Sequence, residues 1–184
     1  MHMHKMVYIV RMKDILIKHP ICNQYDAEHD PQWAHRICAI CSLWILLKFH
    51  DSKFNTSVMD LVKMGLAKDG YLENIGWKHS AIVELANDFG LELQYAKRFF
   101  YTPEEKESGL LIINRNLEND QPVLVSVHGI KDSHMLVVHG LRESGGKIIG
   151  YHIQDPDGHV HGHNYFLTKQ EFLLSWRGGL IYKD

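Results

Sequence analysis

The stretch Cys38-Ala-Ile-Cys-Ser-Leu-Trp-Ile-Leu-Leu-Lys-Phe49, entered from Ile37, decides how this chain is read. Nearly every residue is apolar and neither Gly nor Pro interrupts it, and at that length the run predicts a helix rather than a strand. A helix apolar on nearly all sides must be buried on nearly all sides, so this one is expected to run through the middle of the molecule. Its first turn carries Cys38. A thiol there faces unpaired backbone N–H groups and the positive end of the helix dipole. Both favour the thiolate, the form that attacks carbon. Cys38 is therefore a candidate nucleophile.

The frame around this helix is ordinary. The chain has 184 residues, 45% hydrophobic and 23% charged, with a formal net charge of −2. That predicts one globular domain, residues 1–184, with enough length for a real core. No Lys/Arg cluster points to nucleic acid, no stretch is long enough to span a membrane, and no secretory leader is legible at Met1-His-Met-His-Lys, so the chain is expected to be cytoplasmic. Three cysteines, Cys22, Cys38 and Cys41, make a poor disulfide framework.

Residues 6–19 predict a short strand or two, closed by His19-Pro20. After the central helix, Thr56 or Ser57 caps a helix to about Lys68, and residues 71–78 are expected as a loop. A helix follows over about 80–89 and ends at Gly90, then a strand over 91–96. Thr102-Pro-Glu-Glu starts a helix, and a further one is expected over 109–119. From Asp120 the character changes. Pro122–His128, Met135–Leu141, Lys147–Gln154 and Gly179–Tyr182 read as strands, and Thr168-Lys-Gln-Glu171 as the capping box of a short helix. Helices first and an antiparallel sheet afterwards make an α+β fold.

The sheet offers a partner for the thiol. Period two puts His134, Leu136 and Val138 on one face and Met135, Val137 and His139 on the other, so only one of the two histidines can face a given site. A hairpin centred between Ser144 and Gly145 would set His134 opposite Asp155; one centred on Gly145-Gly146 would shift the register by two residues. Opposed side chains stand roughly 4.5–5.5 Å apart at Cβ, close enough for a carboxylate to hold an imidazole in one orientation. Gln24, upstream, supplies a side-chain amide that could stabilise an oxyanion. The set Cys38, His134, Asp155 and Gln24 has the residue types that acyl transfer through a thioester needs.

The ordered motifs Gln24-Tyr-Asp, Trp33, Cys38-Ala-Ile-Cys-Ser-Leu, Gly76-Trp77, Phe89-Gly90, Gln121-Pro-Val-Leu-Val-Ser-Val, His134-Met-Leu-Val-Val-His-Gly, Asp155-Pro156 and Phe172…Trp176 together resemble cysteine peptidase family 39 and its stand-alone relatives. The family is named for domains that cut double-glycine leaders from bacteriocin precursors. The resemblance runs from about Ile21 to the C-terminus. It implies a papain-like fold with the helical N-terminal half packed on the sheet, a peptide or protein substrate, no cofactor, and the same four residues as nucleophile, base, orienting acid and oxyanion donor. No transporter segment follows, so leader processing coupled to export is not implied. One position departs: Ala39 stands where the family usually has Gly.

Other readings have their own residues. Ala39 suits a papain-shaped binding module without chemistry, and the same thioester could serve deamidation or amide transfer. Cys38-x-x-Cys41 invites a redox or zinc site, but no strand precedes it and no second ligand pair is evident. His159-Val-His161-Gly-His163 has strand-like spacing that could bind zinc or nickel, though the flanking glycines favour an exposed loop. His128 and His139 read as satisfied polar residues at strand ends, Cys41 as core, and Asp26 as a solvated turn acid.

Overall fold

The computed structural model describes residues 12–26, 28–96, 99–129 and 133–184; the start of the first expected strand, before residue 12, lies outside them. In chain order the elements are β1 (Met12–Leu16), α1 (Cys38–His50), α2 (Val58–Ala67), β2 (Tyr71–Leu72), β3 (Gly76–Trp77), α3 (His79–Asp88), β4 (Gln94–Tyr95), α4 (Pro103–Glu118), β5 (Val123–His128), β6 (Ser133–Ser144), β7 (Lys147–Gln154), β8 (Asn164–Thr168), α5 (Lys169–Ser175) and β9 (Trp176–Tyr182). The fold is α+β, as expected. A seven-stranded sheet runs β4-β9-β5-β6-β7-β8, with β1 paired antiparallel to β6.

Residue chemistry explains the helices. The Ser57 hydroxyl accepts from the Asp60 N–H and starts α2. Thr102 and Thr168 each build a reciprocal capping box, with Glu105 and Glu171, and start α4 and α5. Each box satisfies two backbone donors that a helix start leaves unpaired. α1 has no side-chain cap at Ile37; its stability comes from burial. Ile40, Cys41, Leu43, Ile45 and Leu46 are fully excluded from solvent.

The sheet is covered on both sides. α1, α2 and α3 pack on one face, against Leu124, Met135, Val137 and Ile181. Leu110, Ile113 and Leu117 of α4 and Phe172 of α5 pack on the other, against Val125, Leu136, Val138 and Ile153. From Met135 to Val138 the alternation along β6 therefore sorts as period two requires; past the bulge between Val138 and Gly140, Leu141 joins the side of Leu136 and Val138. The helices before Asp120 were expected to lie on the sheet; α4 does so on the second face, where α5 joins it.

Four local expectations change. Residues 71–77 form a two-stranded ribbon, Tyr71 paired with Trp77, rather than a loop. Pro103–Glu118 is one continuous helix and not two: Gly109, read as a boundary, lies inside α4 where Trp176 and Phe100 press on the helix. β8 was not foreseen, because its residues follow the histidine-rich loop. The hairpin between β6 and β7 turns at Gly145-Gly146, both at positive φ (58° and 77°), with Ser144 paired to Lys147. Left-handed conformation at two successive positions is what a tight hairpin turn demands, and glycine meets it without strain.

A Cβ on Gly109 would stand 2.5 Å from Trp176 Cη2 and 2.9 Å from Phe100 Cδ2. Replacing a helix-interior glycine by alanine ordinarily gains ~1 kcal/mol, but overpacking a core costs ~1–3 kcal/mol. Gly109→Ala should therefore lower the stability measured by urea unfolding by about 1 kcal/mol, where an open helix position would raise it.

Candidate active site

α1 delivers Cys38 at its first residue, half-buried at the rim of a cleft. One turn further, the Ser42 hydroxyl donates to the Met135 carbonyl at 3.1 Å inside the core. This bond fixes α1 against β6 at the residue after His134.

His134 and Asp155 meet, though not by the expected register. Val137 pairs with Gln154, so the turn at Gly145-Gly146 sets Asp155 level with Leu136 and diagonal to His134. Diagonal neighbours on one face remain within reach of long side chains, and β7 ends at Gln154, which frees Asp155 to lean. His134 Nε2 and Asp155 Oδ1 lie 2.6 Å apart. The carboxylate is held in turn by the Asp157 backbone N–H at 2.8 Å and by the Tyr165 hydroxyl at 3.4 Å. With Nε2 given to Asp155, Nδ1 is the ring nitrogen left for Cys38, which lines the same cleft as the His134 ring.

The electrostatics pull the pair toward separated charges. Burial opposes ionisation of Cys38 most strongly. The His134 charge, its hydrogen bond and backbone N–H groups at Met135 and Ala39 together outweigh burial and bring the thiol below its ordinary value. Burial likewise disfavours imidazolium at His134, but the Cys38 charge and Asp155 raise that group to about 10. Opposite charges within hydrogen-bonding distance each favour the other's ionised form. Cys41, three residues on, behaves oppositely: burial and the neighbouring Cys22 and Cys38 raise its thiol well above normal. Cys41 belongs to the core, and all three cysteines are free.

Gln24 is 2% exposed and lines the same cleft as Cys38, His134 and Asp155. Its backbone N–H donates to the Pro156 carbonyl at 3.0 Å, and its own carbonyl accepts from His29 Nδ1 at 3.0 Å. The loops that carry Gln24 and Asp155 are thus tied together directly. All four sequence candidates converge on one place.

The cleft has two arms that share Cys38, His35, Ser133 and His134. One, of about 220 Å³, lies under the β2–β3 ribbon and is walled by Tyr71, Gly76 and Trp77. The other, of about 670 Å³, runs past Gln24, Leu136, Tyr165 and Leu167. Ala39 is 4% exposed and packs in the core while lining the smaller arm, so its methyl group has a place.

Several residues near the site escaped sequence reasoning. Tyr25, Asp157 and Tyr165 bond to the candidate residues or to their loops; Asp157 could have been noticed two positions after Asp155. Asp26 is exposed, as expected of a turn acid. His139 is corrected: it sits within β6 at a bulge rather than at a strand end, 6% exposed, with Nε2 unpartnered among the described residues. The three loop histidines do not share a strand face. His159 bonds the Asp157 carboxylate at 2.6 Å and His163 bonds the Asp155 carbonyl at 2.7 Å. Among the described residues no group of three potential ligands could hold a metal ion, and no helix is long and apolar enough to cross a membrane.

The geometry sets a pH signature. Alkylation of Cys38 by iodoacetamide should rise with pH at a midpoint below that of a free thiol, because the thiolate forms early beside imidazolium. Asp155→Asn removes the charge that sustains His134 and should move that midpoint upward. The rate at neutral pH should then fall about tenfold or more, as measured by mass spectrometry of the labelled peptide.

Known proteins agree with this architecture. The model of the Peptidase_C39-like family matches residues 17–178. The peptidase domain of Streptococcus ComA, a bifunctional ABC transporter of a quorum-sensing pathway, superposes with a TM-score of 0.57 at 23% identity, over 80% of this chain and 90% of that one. A double-glycine-motif protease from an AMS/PCAT transporter, solved in complex with the leader peptide, gives 0.53 at 20% identity, over 90% and 91%. The Streptococcus mutans ComA peptidase domain, solved with a small-molecule inhibitor, gives 0.51 at 18% identity, over 90% and 99%. No curated protein matches. With the family model covering most of its length and a papain-like sheet and helix layout to match, the chain belongs to the Peptidase_C39-like family.

Proposed function

We propose that this protein is a cysteine peptidase that cleaves a peptide or amide bond with Cys38 as nucleophile, His134 as base and acid, Asp155 as orienting carboxylate and Gln24 as oxyanion donor. The observation that carries the reading is the line of three groups: a thiol at a helix start, sharing both arms of the cleft with an imidazole whose Nε2 lies 2.6 Å from a carboxylate. Membership in a peptidase family supports it, as does a fold relative solved with a leader peptide bound.

The chemistry follows from the parts. The Cys38 sulfur adds to the carbonyl carbon of the substrate, and the carbonyl π electrons move to oxygen. Gln24's amide N–H stabilises that oxyanion, together with the backbone N–H of Cys38 at a helix start that no side chain caps. His134 imidazolium gives its proton to the departing amine as the C–N bond breaks, leaving a thioester. Water then adds to the thioester while His134 takes its proton, and the carboxylic acid leaves as the thiolate reforms. Asp155 keeps the ring turned so that one nitrogen always serves the sulfur.

Incubation with a synthetic quenched-fluorescent peptide library tests this. Cleavage is expected from the wild-type protein and none from Cys38→Ala. Gln24→Ala should lower kcat by ~10²–10³ with KM little changed, since an oxyanion donor acts in the transition state. Cleavage that survives Cys38→Ala would remove the assignment.

A further inference from the structure

Three loops border the cleft, and one hydroxyl joins them. Tyr25 follows Gln24 directly, and its hydroxyl lies 3.1 Å from Asp157 Oδ2 and 3.2 Å from His35 Nδ1. The ring is held as firmly as the hydroxyl: His159 stands edge-on at 4.4 Å and His35 at 5.3 Å between centroids. Tyr25 also lines the larger arm of the cleft.

The donor count assigns the protons. A phenol has one O–H and two lone pairs. Burial, more than anything else, raises the Tyr25 phenol above its usual value, so it stays protonated. Burial works against ionisation of Asp157, but hydrogen bonds from His159 and Tyr25 and the charge of His134 hold it below the usual carboxylate range. A carboxylate only accepts, so the phenol donates to Asp157. The phenol oxygen is then an acceptor for His35 Nδ1–H. Tyr25 thereby ties the segment that carries Gln24 to the Asp157 loop and to the approach to α1, beside the bond from the Gln24 backbone N–H to the Pro156 carbonyl at 3.0 Å. The Gln24 amide stands where that segment is fixed.

We propose that Tyr25 is a positioning residue, whose hydroxyl ties the segment that carries Gln24 to Asp157 and His35 and so places the Gln24 amide in the cleft. The proposal rests on the peptidase reading and adds to it a residue that does not touch the reacting atoms. It also gives Asp157 a role one step from Asp155: its N–H steadies the catalytic carboxylate while its side chain steadies the phenol.

The experiment is a double-mutant cycle with the best peptide from the library. Tyr25→Phe keeps the ring between His35 and His159 and removes only the hydroxyl. In the wild-type background it should lower kcat about 10- to 100-fold with KM within about twofold. In the Gln24→Ala background it should cost less than about twofold, because the group it positions is gone. Iodoacetamide labelling of Cys38, which develops no oxyanion, should change less than about twofold. Asp157→Ala, in which the phenol loses its acceptor, should repeat the kcat loss in part. Equal losses from Tyr25→Phe in both backgrounds would mean a general structural role and overturn the proposal, as would an unchanged kcat. A wild-type protein that cuts no peptide would instead remove the peptidase reading beneath it.

Discussion

A single buried bond sets the distance on which the site depends. Ser42 donates to the Met135 carbonyl where α1 crosses β6, within a core cluster that holds Ile40, Leu43, Met135 and Val137. A hydroxyl in such surroundings costs free energy unless it is paired, so α1 settles where the pairing is made. Cys38 lies one turn before Ser42 and His134 one residue before Met135. The helix cannot slide along the strand without breaking the bond and unpacking the apolar interface, and sulfur and imidazole stay together as a consequence.

What that proximity achieves is visible in two thiols on one helix. Cys38 and Cys41 are three residues apart, yet one is brought below its ordinary value and the other pushed well above it. Both are opposed by burial. Only Cys38 has His134 beside it and backbone N–H groups directed at its sulfur. The lowered thiol is thus owed to the partner brought by the sheet, and helix position contributes only the backbone donors. The same logic separates the histidines. His134 gains charge from its partners, while burial holds His139, five residues along the same strand, down to about 4.

The loops supply the remaining rigidity. The Gln24 N–H to Pro156 carbonyl bond and the Tyr25 to Asp157 bond join the loop of Gln24 to the loop of Asp155. Two segments more than a hundred residues apart in the chain therefore behave as one wall of the cleft. The β2–β3 ribbon makes the opposite wall, with the Trp77 indole donating to the Arg36 carbonyl at 2.8 Å just ahead of α1.

Much was legible in advance because local chemistry dictated it. The apolar run from Ile37 could only be a buried helix, the Thr102 and Thr168 boxes could only start helices, and alternation placed His134 and His139 on opposite faces. The four candidate residues were legible too, from residue type and order. The rest depended on groups distant in sequence. Gly109 looked like a helix boundary because its need for space comes from Trp176, sixty-seven positions away. The His134–Asp155 contact was inferred from a direct pairing, whereas the turn at Gly145-Gly146 makes it a diagonal one, completed by Asp155 leaning from a strand end. Tyr25 and Asp157 gave no periodic or compositional signal, since a hydrogen bond between loops has no period. The sequence alone determined which side chains could do chemistry and which segments had to be buried. Only tertiary packing decided that they meet, because the separation of a sulfur and a ring nitrogen is set by how a helix docks on a strand, a matter of contacts that no local window contains.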